Sequence, residues 1–180
     1  LMLAHRLIKD KKLDNPTIVV LTDRNDLDNQ LFGTFSSAKD FLGSKIEQVS
    51  SRDDLIDEVA KIKVGGIIFT TLQKFDKDRG FINDRNNVIV FSDEAHRSHY
   101  GLDEKIVMKK ENKAIVEYIS KFGMEKYIRD SLPNATFIGF TGTPVKTKDK
   151  MTTAIFGDIV DVYDMTQSIE DGSTVKLYYE

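Results

Sequence analysis

The chain has 180 residues, 40% hydrophobic and 31% charged, which is the balance of a globular domain long enough to bury a core. It contains no cysteine, which excludes disulfide frameworks and cysteine-liganded zinc ribbons, and no apolar run approaches the length of a membrane span. His5 and Arg6 come too early for a signal peptide, so the protein is expected inside the cell, and the net charge of −3 (26 Lys+Arg against 29 Asp+Glu) confines any contact with nucleic acid to local patches.

Leu3, Leu7 and Ile8 recur at helical spacing, with Lys9, Lys11 and Lys12 where a helix dipole favours cations, so residues 1–12 are expected to be helical, with Pro16 as the stop. Residues 17–21 (TIVVL) form a short β-branched run suited to a strand covered on both faces. Asp23 is placed to cap a helix through Leu27, Leu31 and Phe35, after which Ser36, Ser37 and Gly43 mark a loop. Ser51 with Asp54 resembles a capping box, and Leu55, Ile56, Val59, Ala60 and Ile62 lay an apolar stripe along the next helix, which Gly65 and Gly66 end. Further strands are expected at 67–71 (IIFTT), 88–91 (VIVF) and 136–140 (TFIGF), and a helix at 113–132 with Pro133 as its stop. Residues 159–163 and 175–179 read as extended. No repeat, low-complexity tract or Pro/Gly linker divides the sequence. Helices alternating with doubly covered strands specify an α/β fold, an open and mostly parallel sheet with helices on both faces. In that architecture ligands bind beyond the carboxyl ends of the strands.

The strongest candidate lies after VIVFS, where Asp93 and Glu94 stand side by side. Adjacent side chains on an extended segment diverge, so one acid can hold a cation while the other faces water. Phosphoryl transfer from ATP needs both: a carboxylate beside Mg²⁺ and a group that positions the attacking water. Asp93 is assigned to the metal, through its water shell, and Glu94 to the water. An isolated Asp-Glu pair also reads as a cap for a following helix. Asp-Glu-Ala-His at 93–96, after a buried strand, resembles the Walker B (motif II) form of helicases and translocases. His96 with His99 could alternatively ligate zinc, although with no cysteine and His5 distant the ligand set is short.

After TFIGF comes Thr141-Gly142-Thr143-Pro144, in which Gly142 permits a tight turn, Pro144 fixes it and two hydroxyls reach the sheet edge. By itself this is an ordinary strand-terminating turn; one strand after a Walker B sequence it resembles helicase motif III, which links nucleotide state to movement of the track. The phosphate-cradling pattern Gly-x-x-x-x-Gly-Lys-Ser/Thr is absent, and Gly43-Ser44-Lys45 has the wrong spacing to replace it. The simplest expectation is that such a loop lies before Leu1 and feeds the opening helix, the chain being cut there.

In order, TDRNDLDNQLFGTF, GGIIFTTLQKF, VIVFSDEAHRSHYG, LPNATFIGFTGTP and FGDIVDVYDMTQSIEDGSTVKLYYE resemble the restriction (R) subunit of type I restriction-modification enzymes, over nearly the whole chain from Thr17 onward. The resemblance implies a RecA-like fold of the P-loop NTPase type, truncated at its N-terminus, with residues 1–180 forming the first motor domain. It implies ATP and Mg²⁺ as cofactors and double-stranded DNA as the track. The implied partners are the modification and specificity subunits, together with the nuclease and second motor domains of the same polypeptide. By motif, 22–30 would be motif Ia and 70–74 motif Ib, both beside the DNA. Arg24 and Lys74 would contact phosphates, and Asn25, Gln30, Thr70, Thr71 and Gln73 would add neutral hydrogen bonds. Arg97 would steady the carboxylates or couple them to motif III. Residues 22–30 read equally as a capped surface helix, and the sheet could also belong to another superfamily 2 helicase or to a scaffold that has lost catalysis.

Overall fold

The apolar runs pair as five parallel strands: β1 (Thr17–Thr22), β2 (Ile46–Gln48), β3 (Ile67–Thr71), β4 (Val88–Ser92) and β5 (Thr136–Gly139), in the order β2-β3-β1-β4-β5. The computed structural model describes residues 1–22, 24–71, 81–93, 124–142 and 156–175. β1, β3 and β4 are buried along their whole length, as expected of β-branched strands covered on both faces. β5 lies at an edge and exposes Thr136 and Gly139.

Alternate strand residues serve opposite cores, because successive side chains on a strand point to opposite faces. Val19, Leu21, Ile68, Val88 and Val90 face Leu55 and Val59 of α4 (Arg52–Lys61) and Ile128 of α5 (Met124–Ser131). Ile18, Val20, Ile67, Phe69, Ile89 and Phe91 face Ala4 and Ile8 of α1 (Met2–Lys9), Phe35 of α2 (Asn25–Ser37) and Leu42 of α3 (Lys39–Leu42). Phe69 is the pivot of this second core, with edge-on contacts to Phe32 at 5.7 Å and Phe35 at 5.2 Å. A last helix, α6 (Met165–Glu170), is capped by Asp164, whose side chain accepts from the Gln167 amide at 2.9 Å.

The N-terminal rim of the sheet is fastened by Arg85, which donates to the Ile62 carbonyl, to Asn87 Oδ1 at 2.9 Å and to Thr17 Oγ1 at 3.0 Å. Thr17 in turn donates to the Gly65 carbonyl at 2.7 Å. Gly65 has φ +73, a left-handed conformation that favours glycine, and a Cβ there would lie 2.7 Å from Asn15 Nδ2, which would have to shift.

Several expectations shift. Helix α2 has Arg24 at its N-cap with no side-chain cap bond, and Asp23 lies outside the described residues. The loop expected after Ser37 contains α3 and the edge strand β2, with Gly43 left-handed at the α3 terminus. Residues 159–163 form no strand among the described residues and are solvent-exposed. Of the helix expected at 113–132 only α5 is described, and 176–180 are not.

Candidate functional site at the carboxyl rim

Sheet order determines where a ligand can enter. The connection leaving β1 carries α2 on one face and runs two places toward β2, whereas the connection leaving β4 carries α5 on the opposite face and runs toward β5. Their divergence puts the topological switch point, where sheets of this kind bind ligands, beyond the carboxyl ends of β1 and β4.

Asp93 stands at that switch point, directly after β4. Its backbone N–H donates to the Leu21 carbonyl at 3.0 Å, extending the β1–β4 ladder one residue past β4, and the Phe140 amide donates to the Ser92 carbonyl at 2.8 Å on the other side. The carboxylate is therefore carried on backbone held from both flanks, and the residue is only partly buried. Phe91 packs edge-on against Phe140 at 5.4 Å, so the β4 and β5 ends are also tied through side chains. Thr141 and Gly142 follow directly and are exposed. Gly142 does not adopt a positive φ, and among the described residues a Cβ there would meet nothing within 4 Å. Glu94, His96, Arg97, Thr143 and Pro144 lie outside the described residues.

The start of α2 follows the carboxyl end of β1. Arg24, Asn25 and Gln30 are exposed there, with the Arg24 guanidinium 3.5 Å from Asp26. Thr70 and Thr71, by contrast, are buried at 0% and 1% exposure beneath the rim, and Thr70 Oγ1 has no hydrogen-bond partner among the described residues. Among the described residues this rim thus presents the trio to solvent and not the two threonines; Gln73 and Lys74 lie outside the described residues.

Sequence reasoning missed Asp28. It is 2% exposed and accepts from Thr22 Oγ1 at 3.3 Å and from Gln48 Nε2 at 2.8 Å, and the same Gln48 amide donates to Asn29 at 2.8 Å. The available signal was position: Asp28 stands four residues before Phe32 and seven before Phe35, on the apolar stripe of α2, where a charged residue is anomalous.

A single carboxylate donor on a partly buried rim suits Mg²⁺, which keeps most of its waters and takes few ligands from protein when it rides on phosphate oxygens. Groups of three or more His, Asp or Glu able to cage a metal are absent among the described residues. No helix among them is long and apolar enough to cross a membrane.

The pattern of SWI2/SNF2 ATPases matches residues 1–180. The type I restriction enzyme HindI endonuclease subunit of Haemophilus influenzae is 48% identical over 100% of this chain and 17% of its own length. The MjaIXP endonuclease subunit of Methanocaldococcus jannaschii is 38% identical over 100% of this chain and 15% of its own. The chain thus spans only a small part of the curated relatives it matches. With a parallel RecA-like sheet and a match from end to end, the chain belongs to the SWI2/SNF2 ATPase family, on the branch of type I restriction endonuclease subunits.

Proposed function

We propose that these 180 residues are the first RecA-like domain of an ATP-dependent double-stranded DNA translocase within a type I restriction R subunit, working with modification and specificity subunits. The observation that carries the reading is Asp93, a partly buried carboxylate held by backbone bonds at the switch point between β1 and β4. When bound, MgATP supplies the phosphoryl group and its charge-neutralising cation. Asp93 would hold that cation, and Glu94 would orient the attacking water and take its proton. Residues 141–144, with His96 and Arg97, link the state of this rim to the DNA side. Arg24 contributes a phosphate contact and Asn25 and Gln30 neutral ones, with Gln73 and Lys74 adding to the same track. The grip on the ATP phosphates comes from elsewhere in the protein, because no phosphate-cradling loop occurs in this sequence.

The test is a pair of substitutions in the full-length protein. Glu94→Gln keeps Mg-nucleotide binding and lowers ATP turnover by about a hundredfold or more, the usual range for a lost general base. Asp93→Asn lowers turnover and also raises the Mg²⁺ concentration needed to reach half of it. Turnover and Mg²⁺ dependence like those of the parent in both variants refute the assignment.

A further inference from the structure

The nucleotide and DNA roles above leave the buried carboxylate of α2 unused. Withdrawing a carboxylate from water is unfavourable unless its oxygens are bonded, and buried acids commonly take a cationic partner. Among the described residues Asp28 has none; both oxygens are taken by neutral donors on different strands, Thr22 at the end of β1 and Gln48 at the end of β2. Those strands are not neighbours. β3 lies between them, so the Thr22, Asp28 and Gln48 side chains together cross the β3 rim, where β1 and β2 are about 10 Å apart at ordinary strand spacing.

The rest of α2 is held by Leu31, Phe32 and Phe35 in the core, but its first turn has no side-chain cap bond and carries the exposed Arg24 and Asn25. What ties that turn to the rim is Asp28, together with the Thr22 hydroxyl, which also approaches the Arg24 carbonyl at 3.5 Å. We infer that Asp28 is a positioning residue for the DNA-contact surface: by bridging the β1 and β2 rims it fixes the first turn of α2, and with it Arg24, Asn25 and Gln30, relative to Asp93 on the adjacent strand. The inference rests on the DNA-contact reading of those three residues. The bridge is geometric and does not depend on charge. An asparagine can keep both links, its oxygen accepting from Gln48 and its amide donating to the Thr22 hydroxyl, which then turns to the Arg24 carbonyl.

The experiment measures ATPase activity of the full-length protein, assembled with its partner subunits, against concentration of double-stranded DNA at several salt concentrations. Asp28→Ala raises the DNA concentration for half-maximal activity by about tenfold, the cost of ordering one or two backbone residues on binding, and affects turnover at saturating DNA far less. Its salt slope matches the parent, because the phosphate contacts, once made, are the same. Arg24→Ala instead flattens that slope by about 0.9. Asp28→Asn restores the parent value. Gln48→Met removes one of the two links from an exposed position and shifts half-saturation in the same direction as Asp28→Ala, so the test stands even if the alanine variant does not fold. If Arg24→Ala changes neither slope nor half-saturation, the DNA-contact reading fails. If Arg24→Ala acts but Asp28→Ala and Gln48→Met do not, or if Asp28→Asn is as impaired as Asp28→Ala, the positioning role is overturned.

Discussion

Phe69 is the residue through which α2 is pressed onto the sheet, and its replacement measures how firmly. The side chain is fully buried in the middle of β3 and meets Phe32 and Phe35 of α2 edge-on at 5.7 and 5.2 Å. Truncating a buried phenylalanine to alanine costs about 3–5 kcal/mol, the lost transfer energy plus the cavity left behind. Phe69→Leu keeps most of the apolar volume and loses the two ring pairs, worth about 0.5–1.5 kcal/mol each, so its cost is about 1–3 kcal/mol. Hydrogen exchange on the full-length protein reads these values locally, since each 1.4 kcal/mol is a factor of ten in opening. Phe69→Ala should therefore speed exchange of the β3 and α2 amides by about 100- to 3000-fold, and Phe69→Leu by about 5- to 150-fold. The amides of α6, which takes no part in this core among the described residues, act as the internal reference. If Phe69→Ala leaves β3 and α2 protection within about threefold of the parent, the aromatic cluster is not what holds the helix.

Two further outcomes test the fastenings away from the switch point. Arg85→Ala removes a charged donor bonded to three acceptors at the N-terminal rim, and since Arg85 is partly exposed the loss is set at about 2 kcal/mol, seen as a fall of roughly 4–8 °C in thermal midpoint. Arg85→Lys should not restore it, because one ammonium cannot reach all three acceptors. Asp54 is held below its ordinary value of 3.8 by hydrogen bonds from the Ser50 and Ser51 side chains, so its contribution to the α4 cap is complete above that pH and disappears as pH falls through the lower folded value. Amide resonances of Ser51 and Asp54 should titrate with a midpoint below 3.8, and Ser51→Ala should move that midpoint up.

How legible the fold was depends on what each residue answers to. β1, β3 and β4 could be read because strands covered on both faces must be apolar throughout, which leaves a run such as TIVVL with no other use. The α4 capping box was equally visible, because its reciprocal bonds are local in sequence. β2 was hidden: three residues, Ile46 to Gln48, half-buried at an edge, carry too little pattern and owe their pairing to β3. The exposed run at 159–163, read as extended, joins no ladder among the described residues, since β-branched residues make a strand only where a neighbouring strand accepts their backbone bonds. The place of Asp93 at the rim was legible because it follows the strand end directly. The Asp28 bridge was not, because its partners are six and twenty residues away and meet only once the strand order is known.

That strand order also puts Asp93 and the α2 bridge a short path apart. β1 lies next to β4, so Thr22, which holds the α2 bridge, ends the strand whose Leu21 carbonyl accepts the Asp93 amide. Adjacent strands lie about 4.8 Å apart, so a shift of Asp93 along the rim is felt at Thr22 through one backbone hydrogen bond and at the α2 start through one side-chain bond more. A domain with β1 at an edge would need a chain of packed side chains to carry the same displacement, and each added contact would be free to absorb part of it. Placing β1 at the centre of the sheet makes the path two bonds long, and the connections diverging from β1 and β4 put the topological switch point beside it.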